Sequence, residues 1–208
     1  MDAGQVGTMN TRMKGDERRA AIVETAIHLF AEKGFRGATT RELAAAAGVT
    51  EPILYRHFRT KRDLYTAIIE AKAGEANVHA ADLAELADRG DDREFLCAVG
   101  ELVLKRYEND PEISRLLLFS CLERHELADL FLDRLFLGFY KLVAGYIRRR
   151  IRAGEFRKVD PEIATRGFVG MIAYHGLFGL LFPKRFGTPN RRRVVNQMVT
   201  VFLAGIES

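Results

Sequence analysis

The stretch 34–65, with the sequence GFRGATTRELAAAAGVTEPILYRHFRTKRDLY, most constrains what this chain folds into. It predicts two short helices around a tight turn, followed by the start of a longer helix. Thr39 and Glu42 have the spacing of a capping box, in which each side chain bonds the other residue's backbone amide at a helix start. Gly48 adopts left-handed conformations at little cost, so the chain is expected to turn sharply there. This outline is typical of a helix-turn-helix, which places its second helix in the major groove of DNA.

The second short helix has a clear inner and outer side. Thr50 is placed to cap it, and Pro52 lies in its first turn, where the missing amide does no harm. Leu54 and Phe58 lie four residues apart and are expected to point inward. A generic helical hairpin with good caps is the alternative. The alanine-packed first helix, the Gly-Val turn and the short aromatic and basic second helix together favour the DNA-binding motif.

These residues resemble the TetR family of bacterial transcription regulators over roughly the first third of the chain. The resemblance rests on these positions: Gly34, Phe35, Thr39, Thr40, Arg41, Leu43, Ala44, Ala47, Gly48, Val49, Leu54, Tyr55, His57, Phe58, Lys61 and Leu64. It implies an all-α fold, with an N-terminal three-helix helix-turn-helix DNA-binding domain and a C-terminal helical ligand-binding and dimerisation domain. Helical periodicity predicts about nine helices, in agreement with that architecture, and one long helix is expected from near Glu126 to Arg152. Thr60 and Asp63 are expected to form a second capping box, and Asp110 is expected to cap a later helix. We expect a disordered tail over 1–15, the DNA-binding domain over 16–62 and the regulatory domain over 63–208.

Nine residues of the motif are candidate DNA contacts: Thr39, Thr40, Arg41, Thr50, Glu51, Pro52, Tyr55, His57 and Lys61. Affinity for DNA comes mainly from phosphate contacts, and specificity comes from base edges. Lys61 and the helix start at Thr39 and Thr40 are expected to meet phosphate through charge, hydroxyls and free amides. Tyr55 and His57 resemble the family's phosphate-contacting pair. Ring packing for Tyr55 and a solvated surface position for His57 are the alternatives.

Base reading is expected from the start of the second short helix. The Glu51 carboxylate is suited to accept from a cytosine amino group, and Pro52 or the Thr50 methyl to touch a thymine methyl. Arg41 is a further candidate for a base or a phosphate. The threonines also fit a role as helix caps alone, and Glu51 also fits a role in stabilising a helix N-terminus.

The two C-terminal helices predicted over about 161–182 and 190–206 are more apolar than one small core requires. Small residues at spacings of three on the first helix would let another helix approach closely: Gly167, Gly170, Gly176 and Gly179. The resemblance implies that both helices form a four-helix interface with a second copy. A homodimer also suits a motif that binds two half-sites one helical turn apart. The alternative is that the two helices close the monomer's own core.

Aromatic side chains are dense in the C-terminal two-thirds of the chain. A cavity that they line would hold an apolar or aromatic small molecule, and the candidates are Phe119, Cys121, Phe136, Phe139, Met171, Tyr174, His175 and Phe178. Tyr174 and His175 are suited to orient a ligand, although an aromatic stripe also fits plain core and His175 also fits a hydrogen-bonded core histidine. The resemblance implies repression at a palindromic operator, relieved when a ligand shifts the spacing of two DNA-binding domains.

Net charge, the two cysteines and the longest apolar run indicate the kind of partner and the location of the protein. A net charge of +4 suits a nucleic-acid partner. Cys97 and Cys121 lack zinc-ligand spacing and are expected to be buried thiols in a reducing cytoplasm. The apolar run 168–182 is too short to span a membrane, so we expect a cytoplasmic protein without a membrane partner.

Enzymatic chemistry is not indicated either, since no paired carboxylates, nucleophile elbow or phosphate loop is found. The segment 123–126 lacks the second histidine of a zinc helix and is interpreted as a polar helix junction. We therefore expect no cofactor and no metal. The alternatives to a ligand-controlled repressor are a DNA-binding regulator that is ligand-independent or controlled by a protein partner and, further off, an all-helical ligand carrier.

Overall fold

The computed structural model describes residues 15–123, 127–186 and 190–207. This part of the chain is helical throughout and contains no strand, which confirms the all-α prediction. The helices are α1 (Gly15–Gly37), α2 (Thr40–Ala46), α3 (Glu51–His57), α4 (Lys61–Arg89), α5 (Asp92–Asn109), α6 (Pro111–Leu122), α7 (Leu127–Phe131), α8 (Leu137–Arg152), α9 (Pro161–Leu181), α10 (Pro183–Phe186) and α11 (Arg191–Ile206). The predicted tail, 1–15, lies outside the described residues except for Gly15, which begins α1.

Two helices more than the nine predicted are found in the described ranges. The long helix expected to end at Arg152 is divided by a π-helical turn, Leu132–Phe136, which separates α7 from α8. A π turn inserts one residue into the helical repeat and leaves the pattern on both sides helical, so periodicity did not reveal it. The other addition is the single turn α10.

Most of the predicted caps are present. In the first capping box the Glu42 amide donates to Thr39 Oγ1 at 3.2 Å, and the Thr39 amide donates to Glu42 Oε2 at 2.9 Å. The box of Thr60 and Asp63 at the start of α4 is also complete. Asp110 was expected to cap α6 and does not, because its carboxylate pairs with Lys72 Nζ at 2.8 Å.

Two hydrophobic cores fill the described part of the molecule. The first combines α1 to α4 with α6 and α7, and includes Phe30, Leu54, Ile68, Leu116 and Phe131. The second combines the end of α4 with α5, α8, α9 and α11. Because α6 and α7 share the first core, they are packed together with the helices that carry the helix-turn-helix.

Gly34 shows how closely α6 approaches α1. Its φ of 72° interrupts the helical backbone of α1. A Cβ at this position would lie 2.5 Å from Glu123 Oε1 and 3.2 Å from Phe119 Cδ1. A glycine is therefore required here both for its backbone conformation and for the space that the end of α6 occupies.

The two cysteines differ from each other. Cys97 is half-buried, and burial raises its thiol pKa. Cys121 was expected to be buried but is exposed in the last turn of α6, because its neighbours Ser120 and Phe119 face the protein instead. None of the helices in the described ranges has an apolar run long enough to cross a membrane.

Candidate nucleic-acid interface

We call α2, the turn and α3, residues 40–57, the reading head. Leu43 and Ala44 of α2 and Leu54 of α3 are buried in the first core, so these sides of the two helices are fixed. Gly48, with a φ of 64°, makes the turn, and the amide of Val49 donates to the carbonyl of Ala44 at 2.9 Å. The outer sides of both helices remain open to solvent.

Five of the nine predicted DNA contacts are exposed on this outer surface, and four are half-buried. The exposed residues are Thr39, Arg41, Thr50, Pro52 and Tyr55. The half-buried residues are Thr40, Glu51, His57 and Lys61. The Tyr55 ring is 45% exposed, so its place is not explained by core packing. Thr40, Tyr55 and Lys61 lie together around one narrow crevice between α2, α3 and the start of α4.

A hydrogen bond ties the starts of the two short helices together. Thr40 Oγ1 donates to Glu51 Oε2 at 2.9 Å. The pair holds α3 in position on α2 and gives the Glu51 carboxylate a structural role next to its predicted role in base reading. The sequence did not reveal this bond because the two residues lie 11 positions apart on different helices.

Lys61 is more closely involved in the fold than its predicted phosphate contact suggested. Its ammonium group donates to the carbonyls of Phe35 at 2.6 Å and Ala38 at 2.8 Å, and it lies 4.4 Å from the centre of the Phe35 ring. Burial lowers the pKa of Lys61, and the nearby carboxylate of Glu123 partly offsets this effect. An ammonium group has three N–H donors, so one of them is left for a phosphate.

Thr50 occupies the N-cap position of α3, but its side chain makes no capping hydrogen bond. A cap side chain bonds the amide of the second or third helical residue. Pro52 at the second position has no N–H, and Thr50 does not bond the amide of Ile53 at the third position either. The hydroxyl and methyl groups of Thr50 are therefore exposed beside Pro52 and are free to meet a base edge.

Two exposed arginines of this surface were not among the predicted DNA contacts. Arg56 and Arg59 are exposed and form no ion pair within the described ranges. Both follow Tyr55, and a run of basic residues next to an exposed aromatic residue was the available signal. Lys33, by contrast, is neutralised by Glu42 at 2.6 Å. That bond and those from Thr39 lower the pKa of the Glu42 carboxyl to about 2.

The eight predicted ligand-lining residues differ in burial and in the neighbours that they contact. Phe119 packs beside Gly34, and Cys121 is exposed. Tyr174 is 59% exposed, with Phe178 4.2 Å from it, ring centre to ring centre. The remaining members are half-buried: Phe136, Phe139, Met171 and His175. Helical periodicity places a residue on a face of its helix but does not say which neighbouring helix that face meets.

His175 makes no side-chain hydrogen bond within the described ranges, so the alternative of a satisfied core histidine is not supported. A cleft of about 940 Å³ opens elsewhere, between α5 and α11. It is lined by charged residues, among them Glu101, Glu108 and Arg191, and by apolar residues such as Ala98 and Val195. Arg191 bonds both glutamates at 2.5 Å, whereas Arg192, which also lines the cleft, forms no salt bridge within the described ranges.

The outer faces of α9 and α11 expose large apolar side chains. Ile163 and Tyr174 of α9 are 61% and 59% exposed, and Val201 of α11 is 64% exposed. A Cβ at Gly167 or Gly170 would meet no atom within 4 Å, so this face of α9 is uncovered. Gly176 of the same helix is different, because the ring of Tyr107 occupies the space beside it.

Comparison with known proteins places these features in a family. The family model "Bacterial regulatory proteins, tetR family" matches residues 22–68, which include the reading head. The model "AefR-like transcriptional repressor, C-terminal domain" matches residues 102–205, from α5 to α11. Both models describe transcriptional regulators and not enzymes.

Individual relatives agree with the models. The transcriptional repressor KstR2 of Rhodococcus jostii is 31% identical over 72% of this chain and 73% of its own length. The transcriptional activator FasR of Mycolicibacterium smegmatis is 32% identical over 51% of this chain, which spans about half, 48%, of FasR. The structure of AibR in complex with isovaleryl coenzyme A and operator DNA has the same fold, with a TM-score of 0.69 and 24% identity over 89% of this chain and 97% of AibR. The chain belongs to the TetR family of helix-turn-helix transcriptional regulators.

Proposed function

We propose that the chain is a homodimeric repressor that binds a palindromic operator and is released from it by a small molecule with an apolar or aromatic body. The observation that carries the proposal is the outer surface of the reading head. There, exposed hydroxyls, the ring of Tyr55 and the free amides at two helix starts face away from both cores. Such groups bind phosphate and base edges.

Within that surface we assign phosphate contacts to Thr39, Thr40, Tyr55, His57 and Lys61. Thr40, Tyr55 and Lys61 border the same crevice, so a single stretch of DNA backbone would be within reach of all three. Lys61 would contribute its third N–H donor while the other two hold the end of α1.

We assign contacts with base edges to Thr50, Glu51 and Pro52, and to Arg41 on α2. Thr50 and Pro52 are exposed at the start of α3, and Thr50 is not used as a cap. The N-terminal residues of the second helix are the ones that reach base edges in a helix-turn-helix. Glu51 would accept from a cytosine amino group with the oxygen that does not bind Thr40.

A second copy would cover the exposed faces of α9 and α11. Ile163, Tyr174 and Val201 are large apolar residues open to water, and Gly167 and Gly170 leave room for a helix to approach closely. Two such helices from each subunit would make a four-helix interface. A two-fold symmetric dimer would place two reading heads on successive major grooves of a palindrome.

Ligand control is supported by a similar protein structure and by the family model that matches the C-terminal part of this chain. AibR is described in complex with isovaleryl coenzyme A and operator DNA, and the C-terminal family model is that of a repressor. The shared core of α6 with α1 and α4 would pass a change in the regulatory half to the reading head. The similarity to FasR, an activator, favours activation of transcription as the second candidate.

A mobility-shift titration tests the proposal with the DNA that precedes the gene as the probe. We expect one complex of two subunits per palindrome, and less RNA from a promoter that overlaps it in a purified transcription assay. More RNA would contradict repression and support activation. Compounds that raise the melting temperature of the protein are then tested for their effect on operator binding. If every such compound leaves operator binding unchanged, ligand control is contradicted, and control by a protein partner or constitutive action is favoured.

A further inference from the structure

Arg106 of α5 is a half-buried cation without a carboxylate partner. Its guanidinium group lies 4.6 Å from the centre of the Phe136 ring, which belongs to the π-helical turn. It forms no salt bridge or side-chain hydrogen bond within the described ranges. Burial lowers its pKa, and the charges of Tyr107 and Asp110 offset this only in part. A cation in this position is stabilised by the ring face but lacks an anion.

The carboxylates near Arg106 in the sequence are engaged with other cations. Asp110 pairs with Lys72 at 2.8 Å, and Glu112 pairs with His28 at 2.5 Å. Glu101 and Glu108 both bond Arg191, as described for the cleft between α5 and α11. The missing counter-ion of Arg106 is therefore not supplied by the acidic residues of its own helix or of the start of α6.

Tyr107, which follows Arg106 on α5, and Tyr140 of α8 also have hydroxyl groups without hydrogen-bond partners within the described ranges. Tyr107 is close enough to Arg106 and to Tyr140 of α8 for each to influence its pKa, which burial raises. Burial likewise raises the pKa of Tyr140, whose ring contacts Phe139 at 5.9 Å between centres. Neither hydroxyl makes a hydrogen bond within the described ranges. We call Arg106, Tyr107, Phe136, Phe139 and Tyr140 the Arg106 cluster.

These polar tips can be reached by solvent. Across the described side chains, Glu123 Oε2 is the polar atom that is both sealed from water and without a hydrogen bond. The unbonded nitrogens of Arg106 and the oxygens of Tyr107 and Tyr140 therefore open onto accessible space. A guanidinium group that solvent can reach, with a neighbouring phenol that also lacks a partner, is suited to bind an anion through charge-assisted hydrogen bonds.

We infer that the Arg106 cluster binds the anionic headgroup, a carboxylate or a phosphate, of an amphipathic ligand whose apolar chain lies along its aromatic rings. Phe136 and Phe139 belong to the ligand-lining set predicted from the sequence, and Arg106 gives that set the charged anchor that the sequence analysis did not find. This inference rests on the proposed function, since it names the chemical class of the small molecule that would release DNA.

Isothermal titration of the full-length protein without DNA tests the anchor, with decanoate, decyl phosphate and 1-decanol as probes below their aggregation limits. We expect decanoate or decyl phosphate to bind at least tenfold more tightly than 1-decanol, and the tighter of the two identifies the headgroup. Arg106→Met should remove this preference and leave the affinity for 1-decanol within about twofold. Lys105→Met, an exposed neutralisation one residue away, should behave as wild type.

Equal affinities of the wild-type protein for the three probes, or no binding of either anion, would overturn the inference. So would an Arg106→Met variant that keeps the preference for anions. The wild-type comparison decides the question even where the variant does not fold. Operator binding is measured on a separate sample, and its absence in the wild-type protein would contradict the proposed function while leaving the headgroup preference to be judged on its own.

Discussion

Tyr65 and Ser120 share a buried hydrogen bond of 2.5 Å that joins α4 to α6. The Ser120 hydroxyl donates to the carbonyl of Leu116 at 2.9 Å, so Tyr65 is left as the donor in the bond between them. Burial raises the pKa of Tyr65 far above its usual value, which keeps the phenol neutral and able to donate. The bond connects α4, the helix that follows the reading head, with α6.

Tyr65→Phe should lower the free energy of unfolding by about 1 kcal/mol, because one buried hydrogen bond is lost while the ring still fills its place. Urea unfolding followed by circular dichroism measures this. Tyr55→Phe is the matched control, since its hydroxyl lies on an exposed side chain, and it should unfold as wild type. A Tyr65→Phe variant as stable as the wild-type protein would show that this bond is not made.

Lys61→Ala should have two effects that can be separated. Loss of the bonds to Phe35 and Ala38 should lower the free energy of unfolding by about 1–3 kcal/mol, since both involve a charged donor. Loss of a phosphate contact should flatten the plot of log affinity against log salt by about one unit. Fluorescence anisotropy at several salt concentrations measures the slope. A less stable variant with an unchanged salt slope would leave Lys61 a purely structural role.

The capping carboxylate of Glu42 should make stability depend on acid pH. Its pKa is lowered from 4.5 to about 2, so its contribution is complete above pH 4.5 and is lost as the pH falls through about 2. The melting-temperature difference between wild type and Glu42→Gln should therefore shrink as the pH is lowered from about 5 to 2. Glu24→Gln on the exposed face of α1 should show no such trend. A constant difference for Glu42→Gln would contradict the assignment.

Val201→Glu should dissociate the proposed dimer without unfolding the subunit, because Val201 is 64% exposed on α11 and supports no core. Light scattering should give the mass of one chain, and operator affinity should fall by at least about tenfold as two linked half-sites become separate. Leu132→Glu replaces an equally open apolar residue on the π-helical turn and should stay dimeric. A dimeric Val201→Glu variant would place the interface elsewhere.

The sequence predicted well the features that depend on near neighbours in the chain. The capping boxes at Thr39 and Thr60, the turn at Gly48 and the buried positions Leu54 and Phe58 were all found, because each follows from spacings of two to four residues. These local rules fix the order of the helices and the inward face of the reading head.

Features that depend on distant pairs were not predictable. Lys61 binds carbonyls 26 and 23 positions earlier, and the structure shows this only once α1 and α4 are packed together. Asp110 has the sequence of a cap but pairs with Lys72 across two helices. The contacts of the predicted ligand-lining residues could not be predicted for the same reason, since the partner of each aromatic face depends on helix packing and not on periodicity.

The central claim is that the chain binds DNA as a homodimer. Selection of bound sequences from a random 40-base-pair library tests this claim most directly. The wild-type protein should enrich an inverted repeat with half-site centres about one helical turn apart. Substitution of Thr50 and Pro52 by alanine should change the enriched bases, whereas Tyr55→Phe should weaken binding and keep the motif. Enrichment of a single asymmetric site, or of no sequence at all, would contradict the account.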